Sequence, residues 1–333
     1  MKPALALSTW LLVLTSSLLQ GGCAIESYSL RSDLRPTAPL TSEVAARFAF
    51  EHLDEVQMER LEADEGAARV YSATMTVRVL GDPEPVLVQF EFWQAREAGP
   101  RAPAIVITPI LGGGRSLAVS HCRAFTEAGM HAVLVDRGTK VLRSGWTVTD
   151  VERHLRRAVV ARRAVVDWLE TRRDVDPDKL GAFGISMGGI LTSILLAVEP
   201  RLSSGVVALA GADVPGIIGR SVEGRLVKWR AARAADLGVG EGAVEALLRA
   251  ALVSDPGHVA PFVDPRRVLL VSTRWDDVVP TEHQELLWER LGRPLRYDLP
   301  AGHYTGIIFL PWIMDQAVDW FGQRFQRPAA SEP

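Results

Sequence analysis

The chain has 333 residues, 47% of them hydrophobic, and 37 Lys and Arg against 40 Asp and Glu leave a net charge of −3. That length supports a sizeable apolar core in one α/β domain. Near-balanced charge without basic runs argues against a nucleic-acid partner.

Met1-Lys2 precedes an apolar stretch from Ala4 to Leu19, followed by Gln20-Gly21-Gly22-Cys23-Ala24. This has the shape of a secretory signal over residues 1–22, with Cys23 as a lipid-attachment site that anchors an exported protein to a bacterial membrane. A lipobox prefers an aliphatic residue three before the cysteine, where this chain has Gln20 and places Leu19 one step further out. Export without lipid is the alternative. An uncleaved anchor ranks last, because the apolar run falls short of the ~20 residues a spanning helix needs. With Cys23 lipidated, Cys122 would be the only other cysteine of the sequence, so no intramolecular disulfide is expected.

Residues 23–42, with Pro36 and Pro39, read as a tether. Residues 43–103 are expected to hold a helix over Ser42–Leu61 and a hairpin of Val70–Val79 and Val86–Trp93 across the Gly81-Asp82-Pro83 turn, forming antiparallel edge strands. From residue 104 to 327 strand and helix signals alternate. Ala104–Thr108 is a strand, Leu117–Gly129 a helix, His131–Asp136 a strand and Val151–Thr171 a long helix; a strand then runs up to Ser186, Ile190–Val198 is helical, and Val206–Ala210 is a strand. The alternation predicts a mostly parallel sheet with helices on both faces. Arg153, Arg156, Arg157, Arg162 and Arg163 lie opposite an apolar stripe on the long helix and read as a solvated face.

An insertion over 211–262 carries helical stretches near Ser221–Ala235 and Gly242–Val253. Ile217, Ile218, Leu226, Val227 and Trp229 are expected to line an acyl pocket if it acts as a cap, and Arg220, Arg225, Lys228, Arg230 and Arg233 would meet an acidic group or water. A passive insertion is the alternative.

Gly184-Ile185-Ser186-Met187-Gly188 reads G-x-S-x-G between an apolar strand and a helix. A serine hydroxyl becomes a useful nucleophile when a tight strand-to-helix turn holds it out of the sheet near a base and free amides, and small residues on either side let strand and helix approach. Arg267–Ser272, a strand, leads into Thr273-Arg274-Trp275-Asp276-Asp277-Val278-Val279-Pro280, and Leu295–Leu299, the last strand, leads into Pro300-Ala301-Gly302-His303. Ser186, Asp276 and His303 thus follow in an order that matches a Ser-Asp-His triad. Imidazole, with a pKa near 6.5, can take the serine proton and return it to the leaving group. A carboxylate on its other nitrogen fixes the tautomer. Asp276 is favoured for that role by its spacing from Val279-Pro280, Asp277 competes, and Asp213 is a distant third. His52, assigned to the N-terminal helix, and His121, His131, His154, His258 and His283 are read as surface or packing residues. No H-E-x-x-H or clustered cysteine pattern is present, so neither metal nor other cofactor is expected.

The strand at Ala104–Thr108 opens into Pro109-Ile110-Leu111-Gly112-Gly113-Gly114-Arg115-Ser116, which is not the G-x-x-x-x-G-K-[ST] of a P-loop. With these motifs the chain resembles the α/β-hydrolases, nearest in style to the dienelactone hydrolase and bacterial acyl-esterase or peptidase branches. The resemblance implies an α/β-hydrolase fold with a helical cap, and a Ser186, Asp276, His303 triad. It further implies an oxyanion hole from the Met187 amide and that of Ile110 or Leu111. Two departures stand out. Many relatives open the oxyanion loop with His-Gly where this chain has Thr108-Pro109, and proline has no amide hydrogen. Dienelactone hydrolases proper carry cysteine at the elbow, so Ser186 points to ordinary ester chemistry on a small-molecule ester. A peptidase or amidase with the same triad is the enzyme alternative, and a non-catalytic surface binding protein the alternative from another class.

Overall fold

Strands that read as unbroken apolar runs must be covered on both faces, which places them inside a parallel sheet. The computed structural model, which describes residues 24–30, 37–111, 115–136, 141–143 and 145–326, builds such a sheet. Its strands are β1 (Glu26–Tyr28), β2 (Phe50–His52), β3 (Gln57–Glu65), β4 (Ala68–Val79), β5 (Val86–Ala95), β6 (Ala102–Thr108), β7 (His131–Val135), β8 (Val175–Ile185), β9 (Leu202–Ala208), β10 (Val268–Thr273) and β11 (Leu295–Leu299). They lie in the order β1-β11-β10-β9-β8-β6-β7-β5-β4-β2, with β3 also on β4. From β11 to β7 every neighbouring pair is parallel. The carboxyl ends of β6, β8, β9, β10 and β11 therefore share one edge, where ligands gather in open α/β sheets.

The helices are α1 (Ser42–Arg47), α2 (Arg115–Glu127), α3 (Val148–Glu170), α4 (Met187–Val198), α5 (Val214–Arg220), α6 (Gly224–Leu237), α7 (Glu241–Ala251), α8 (Pro256–Val259), α9 (Thr281–Arg290) and α10 (Leu310–Gln326). One core layer packs α3 and α4 on the sheet and continues under the cap helices through Ile217, Leu226 and Val244. The other packs α2 and α10, with Phe125 edge-on to both Phe183 and Phe321. α3 starts at a full capping box between Thr147 and Asp150, the reciprocal pairing that satisfies two orphan helix donors.

Three sequence expectations need correction. The helix expected over Ser42–Leu61 ends at Arg47. β2 and β3 follow it, because Met58 and Leu61 have a spacing that a helix shares, and pairing of Gln57 with Thr74 and Met58 with Ala73 on β4 decides for strand. His52 accordingly sits on β2, with Nε2 2.7 Å from Asp167. The expected tether is in part a strand: β1 pairs antiparallel with β11, Glu26 opposite Asp298 and Tyr28 opposite Arg296. Residues 31–36 of it, like Cys23 and the apolar leader, lie outside the described residues.

The arginines of α3 do not as a row form a solvated face. Arg162 is fully buried, donating from Nε to Thr108 Oγ1 at 2.8 Å and from Nη1 to Ala158 O at 2.6 Å. Burial lowers its pKa to about 10, which leaves it charged at neutral pH. Arg156 and Arg157 clamp Asp82 in the hairpin turn, and Arg163 reaches Phe48 O at 2.6 Å and Glu199 at 3.2 Å. The row reads as solvated because helical periodicity shows which face is polar and not what packs on it. What packs on it is Thr108 of β6 at Arg162, the turn after β4 at Arg156 and Arg157 and the end of α1 at Arg163, whereas Arg153 pairs with Asp150 of its own helix and stays partly exposed.

His121, on α2, is buried edge-on against Phe183 and neither ring nitrogen bonds a protein group. Burial lowers its pKa to about 4. The folded state therefore resists a proton that the unfolded chain accepts below about 6.5. Stability is unaffected above that pH and falls by roughly 3 kcal/mol as pH drops from 6.5 toward 4. Urea midpoints across that range should show the loss in the parent and a flatter profile in His121→Phe; identical profiles would remove His121 as the cause.

Candidate active site

At the end of β8 the backbone turns sharply into α4, and Ser186 takes φ 56° and ψ −124°. This is a costly conformation for a residue with a Cβ, of the kind over-determined by packing at functional sites. A Cβ on Gly184 would stand 2.2 Å from Gly188 O, and one on Gly188 would stand 2.2 Å from Thr108 O. Both glycines are required by close approach, as the pentapeptide suggests. Ser186 N donates to Ala208 O at 2.8 Å and fixes the turn to β9.

Ser186 Oγ lies 2.9 Å from His303 Nε2, and His303 Nδ1 lies 2.8 Å from Asp276 Oδ2. The ionised carboxylate only accepts, so Nδ1 carries the proton and Nε2 is left to accept from the serine. The Asp276 side chain has no exposed surface. Its Oδ1 accepts from the amides of Val278 and Val279 at 3.0 and 2.8 Å, and its Oδ2 also accepts from Thr273 Oγ1 at 2.8 Å and Gln284 Nε2 at 3.1 Å. Gln284, on α9, is itself held by Thr273 N and Val279 O.

The three candidate acids separate cleanly. Asp276 meets His303, whereas Asp277 is exposed and contributes its carbonyl to Val222 N at 3.1 Å. Asp213, in a left-handed conformation with φ 62°, caps α5 and pairs with Arg249. Thr273 and Gln284 carry no motif that sequence reading could have used. They are found only through the contact geometry around the acid.

Ile110, Leu111 and Met187 line the same cavity as Ser186 and His303. Met187 opens α4, where the first amides have no carbonyl partner within the helix. Gly112–Gly114 lie outside the described residues. The cavity, about 460 Å³, is walled mainly by apolar side chains. Ile217, Ile218 and Leu226 from the insertion contribute to it as expected of a cap, but Val227 and Trp229 do not. Trp229 is buried elsewhere with Nε1 donating to Trp146 O at 3.2 Å. Of the basic cap residues only Arg225 reaches the cavity, donating to Leu111 O at 3.1 Å. Arg220, Arg230 and Arg233 are paired with Glu282, Glu241 and Asp236. At the mouth Tyr304 lies edge-on to His303, centroids 5.7 Å apart. Desolvation, then the charges of Glu223, Asp277 and Asp276, raise its pKa, so it is a neutral phenol beside the base.

The fold has counterparts among known proteins. The chain is similar to the acetyl xylan esterase from Paenibacillus sp. R4, with a TM-score of 0.62 at 14% identity over 79% of this chain and 88% of that one. For acetyl xylan esterase 1 from Thermoanaerobacterium sp. JW/SL YS485 the values are 0.60 and 16% over 86% and 99%. Over 56 residues it is 38% identical to the uncharacterised protein YdjC of Bacillus subtilis (strain 168), which is 17% of this chain and 47% of that protein. The chain thus spans about half the length of that relative. A model of the prolyl oligopeptidase family matches residues 123–298, a span that contains Ser186 and Asp276 and stops short of His303. Because that match takes in more than half of the sequence, the chain belongs to the prolyl oligopeptidase family and is a serine hydrolase of the α/β-hydrolase fold.

Proposed function

We propose that the protein cleaves a carboxylic ester with an apolar acyl group through an acyl-enzyme. The observation that carries this reading is the continuous Ser186–His303–Asp276 hydrogen-bond chain opening into an apolar cavity. Ser186 Oγ attacks the ester carbonyl as His303 Nε2 takes its proton, and Asp276 stabilises the resulting imidazolium. The oxyanion is received by the amide of Met187 and that of Ile110 or Leu111. Collapse breaks the bond to the alcohol, which leaves with the proton from His303. Water, deprotonated by the same histidine, then releases the acid and frees Ser186.

The family match favours a second reading, a peptidase or amidase using the same groups; the acetyl xylan esterases among the structural relatives favour the ester. Purified protein should hydrolyse p-nitrophenyl esters and leave matched p-nitroanilides uncleaved. Comparable kcat/KM on both would support the amidase, and no turnover of either, with no fluorophosphonate labelling, would make the fold a binding scaffold.

For location, the proposal is export and lipid attachment at Cys23. Among the described residues no helix is long and apolar enough to cross a membrane. Cys23→Ser should lose incorporation of radiolabelled palmitate in a bacterial host; label retained in the variant would refute attachment at this cysteine.

A further inference from the structure

The geometry points to a lipid surface as the partner of the catalytic face: the rim of the active-site mouth rests on a zwitterionic bilayer, and the substrate is a long-chain ester drawn from it. Trp275, Tyr304, Ile307 and Ile308 are 61, 66, 65 and 76% exposed, unusual for large apolar side chains gathered in one place. They come from two neighbouring segments beside His303, and Tyr304 and Ile307 also line the cavity. Trp275 N bonds Ala301 O, two residues from His303, and Ile307 N bonds Tyr304 O. An acyl chain leaving the bilayer would meet apolar surface from the rim to Ser186.

The occupant is indicated by where the N-terminal chain emerges. β1 runs antiparallel to β11, so its start lies at the carboxyl ends of the parallel strands, on the catalytic side. Arg274 Nη2 holds Ala24 O at 2.7 Å and pairs with Glu26 at 3.0 Å, beside Trp275. Ala24 therefore lies next to the exposed rim, and in the sequence Cys23 immediately precedes it and the apolar segment Ala4–Leu19 ends five positions before it. Attachment there brings the mouth to the bilayer. Tryptophan and tyrosine suit the headgroup layer, having an apolar body and a polar tip. Asp277 and Glu223 exceed the exposed Arg225 by one charge at this rim, so it carries no net positive charge to seek an anionic surface and suits a zwitterionic one.

The substrate class rests on the hydrolase reading; the docking does not, and the two are measured separately. Full-length wild type and Trp275→Phe are bound to phosphatidylcholine vesicles with and without brominated acyl chains. Wild-type emission should be quenched by the bromolipid to a greater extent than that of Trp275→Phe. Equal quenching, or none, overturns the docking. In the second measurement, Trp275→Ser with Ile308→Ser should lower hydrolysis of a vesicle-borne oleoyl ester at least tenfold while hydrolysis of a water-soluble p-nitrophenyl ester stays within twofold. Equal loss on both esters, or no loss on either, overturns the proposed route from bilayer to cavity. A wild type that is quenched but cleaves neither ester overturns the hydrolase reading alone. A wild-type dimer in sedimentation that the double variant dissociates, without lipid quenching, assigns the rim to a second copy and overturns the proposal.

Discussion

Ser186→Ala is expected to abolish covalent labelling by a fluorophosphonate and to lower ester turnover roughly a millionfold, the scale reached when the nucleophile of a comparable serine hydrolase is removed. The loss is chemical rather than structural. Alanine keeps the Cβ, so the strain at φ 56° is unchanged, and the contacts that impose it, Gly184 on Gly188 and Gly188 on Thr108, do not involve the hydroxyl. The single hydrogen bond deleted, to His303 at 2.9 Å, leaves an imidazole that still pairs with Asp276. Thermal midpoints of parent and variant should agree within a few degrees. Equal labelling of the two would place the nucleophile elsewhere.

The turn that holds Ser186, the candidate nucleophile, was legible in the sequence because it has a local cause: G-x-S-x-G after a strand demands two close backbone approaches, and both are present. His303 and Asp276 were legible for a different reason. They follow strand ends, and in a parallel sheet all such ends meet on one edge whatever the intervening loops do. The choice of Asp276 over Asp277 rested on spacing to Pro280; the structure adds that one is enclosed by five donors and the other is exposed.

Features that depend on distant packing were not legible. The helical face of α3 looked solvated because periodicity reports polarity, whereas the burial of Arg162 depends on Thr108, far away in sequence. The stretch after Arg47 carries enough helical spacing to mislead, and only pairing with β4 turns it into strands. β1 is three residues long, too short for any periodicity to register. Its position bears on the proposed docking, since antiparallel pairing with β11 brings Glu26 to the carboxyl edge of the parallel strands.

Asp276→Asn should lower turnover on an activated ester by about four orders of magnitude, the loss seen for the equivalent change in a chymotrypsin-type enzyme, and Asp277→Asn by less than tenfold, about 1.4 kcal/mol of barrier. The environment of the acid explains the size of the difference. Every group around the carboxylate donates: the amides of Val278 and Val279 on Oδ1, and His303, Thr273 and Gln284 on Oδ2. An asparagine must place its own donor somewhere in that ring. Turned toward Val278 and Val279, its NH2 opposes two backbone amides that cannot move without breaking the turn into α9. Turned toward His303, it forces Nδ1 to accept, which moves the imidazole proton to Nε2 and leaves Ser186 without a base. On that side the imidazole and the Thr273 hydroxyl can both turn to accept and only the Gln284 amide stays opposed, against two fixed backbone amides on the other, so the second arrangement should prevail and the variant is folded and inactive. Asp277 offers no such ring, because its side chain is exposed and only its carbonyl is used. Both variants are to be compared on the same ester, with circular dichroism to verify folding. A dead Asp277→Asn beside an active Asp276→Asn would mean that the working enzyme draws its acid from the exposed neighbour, and full activity in both would mean that His303 needs no carboxylate to orient it.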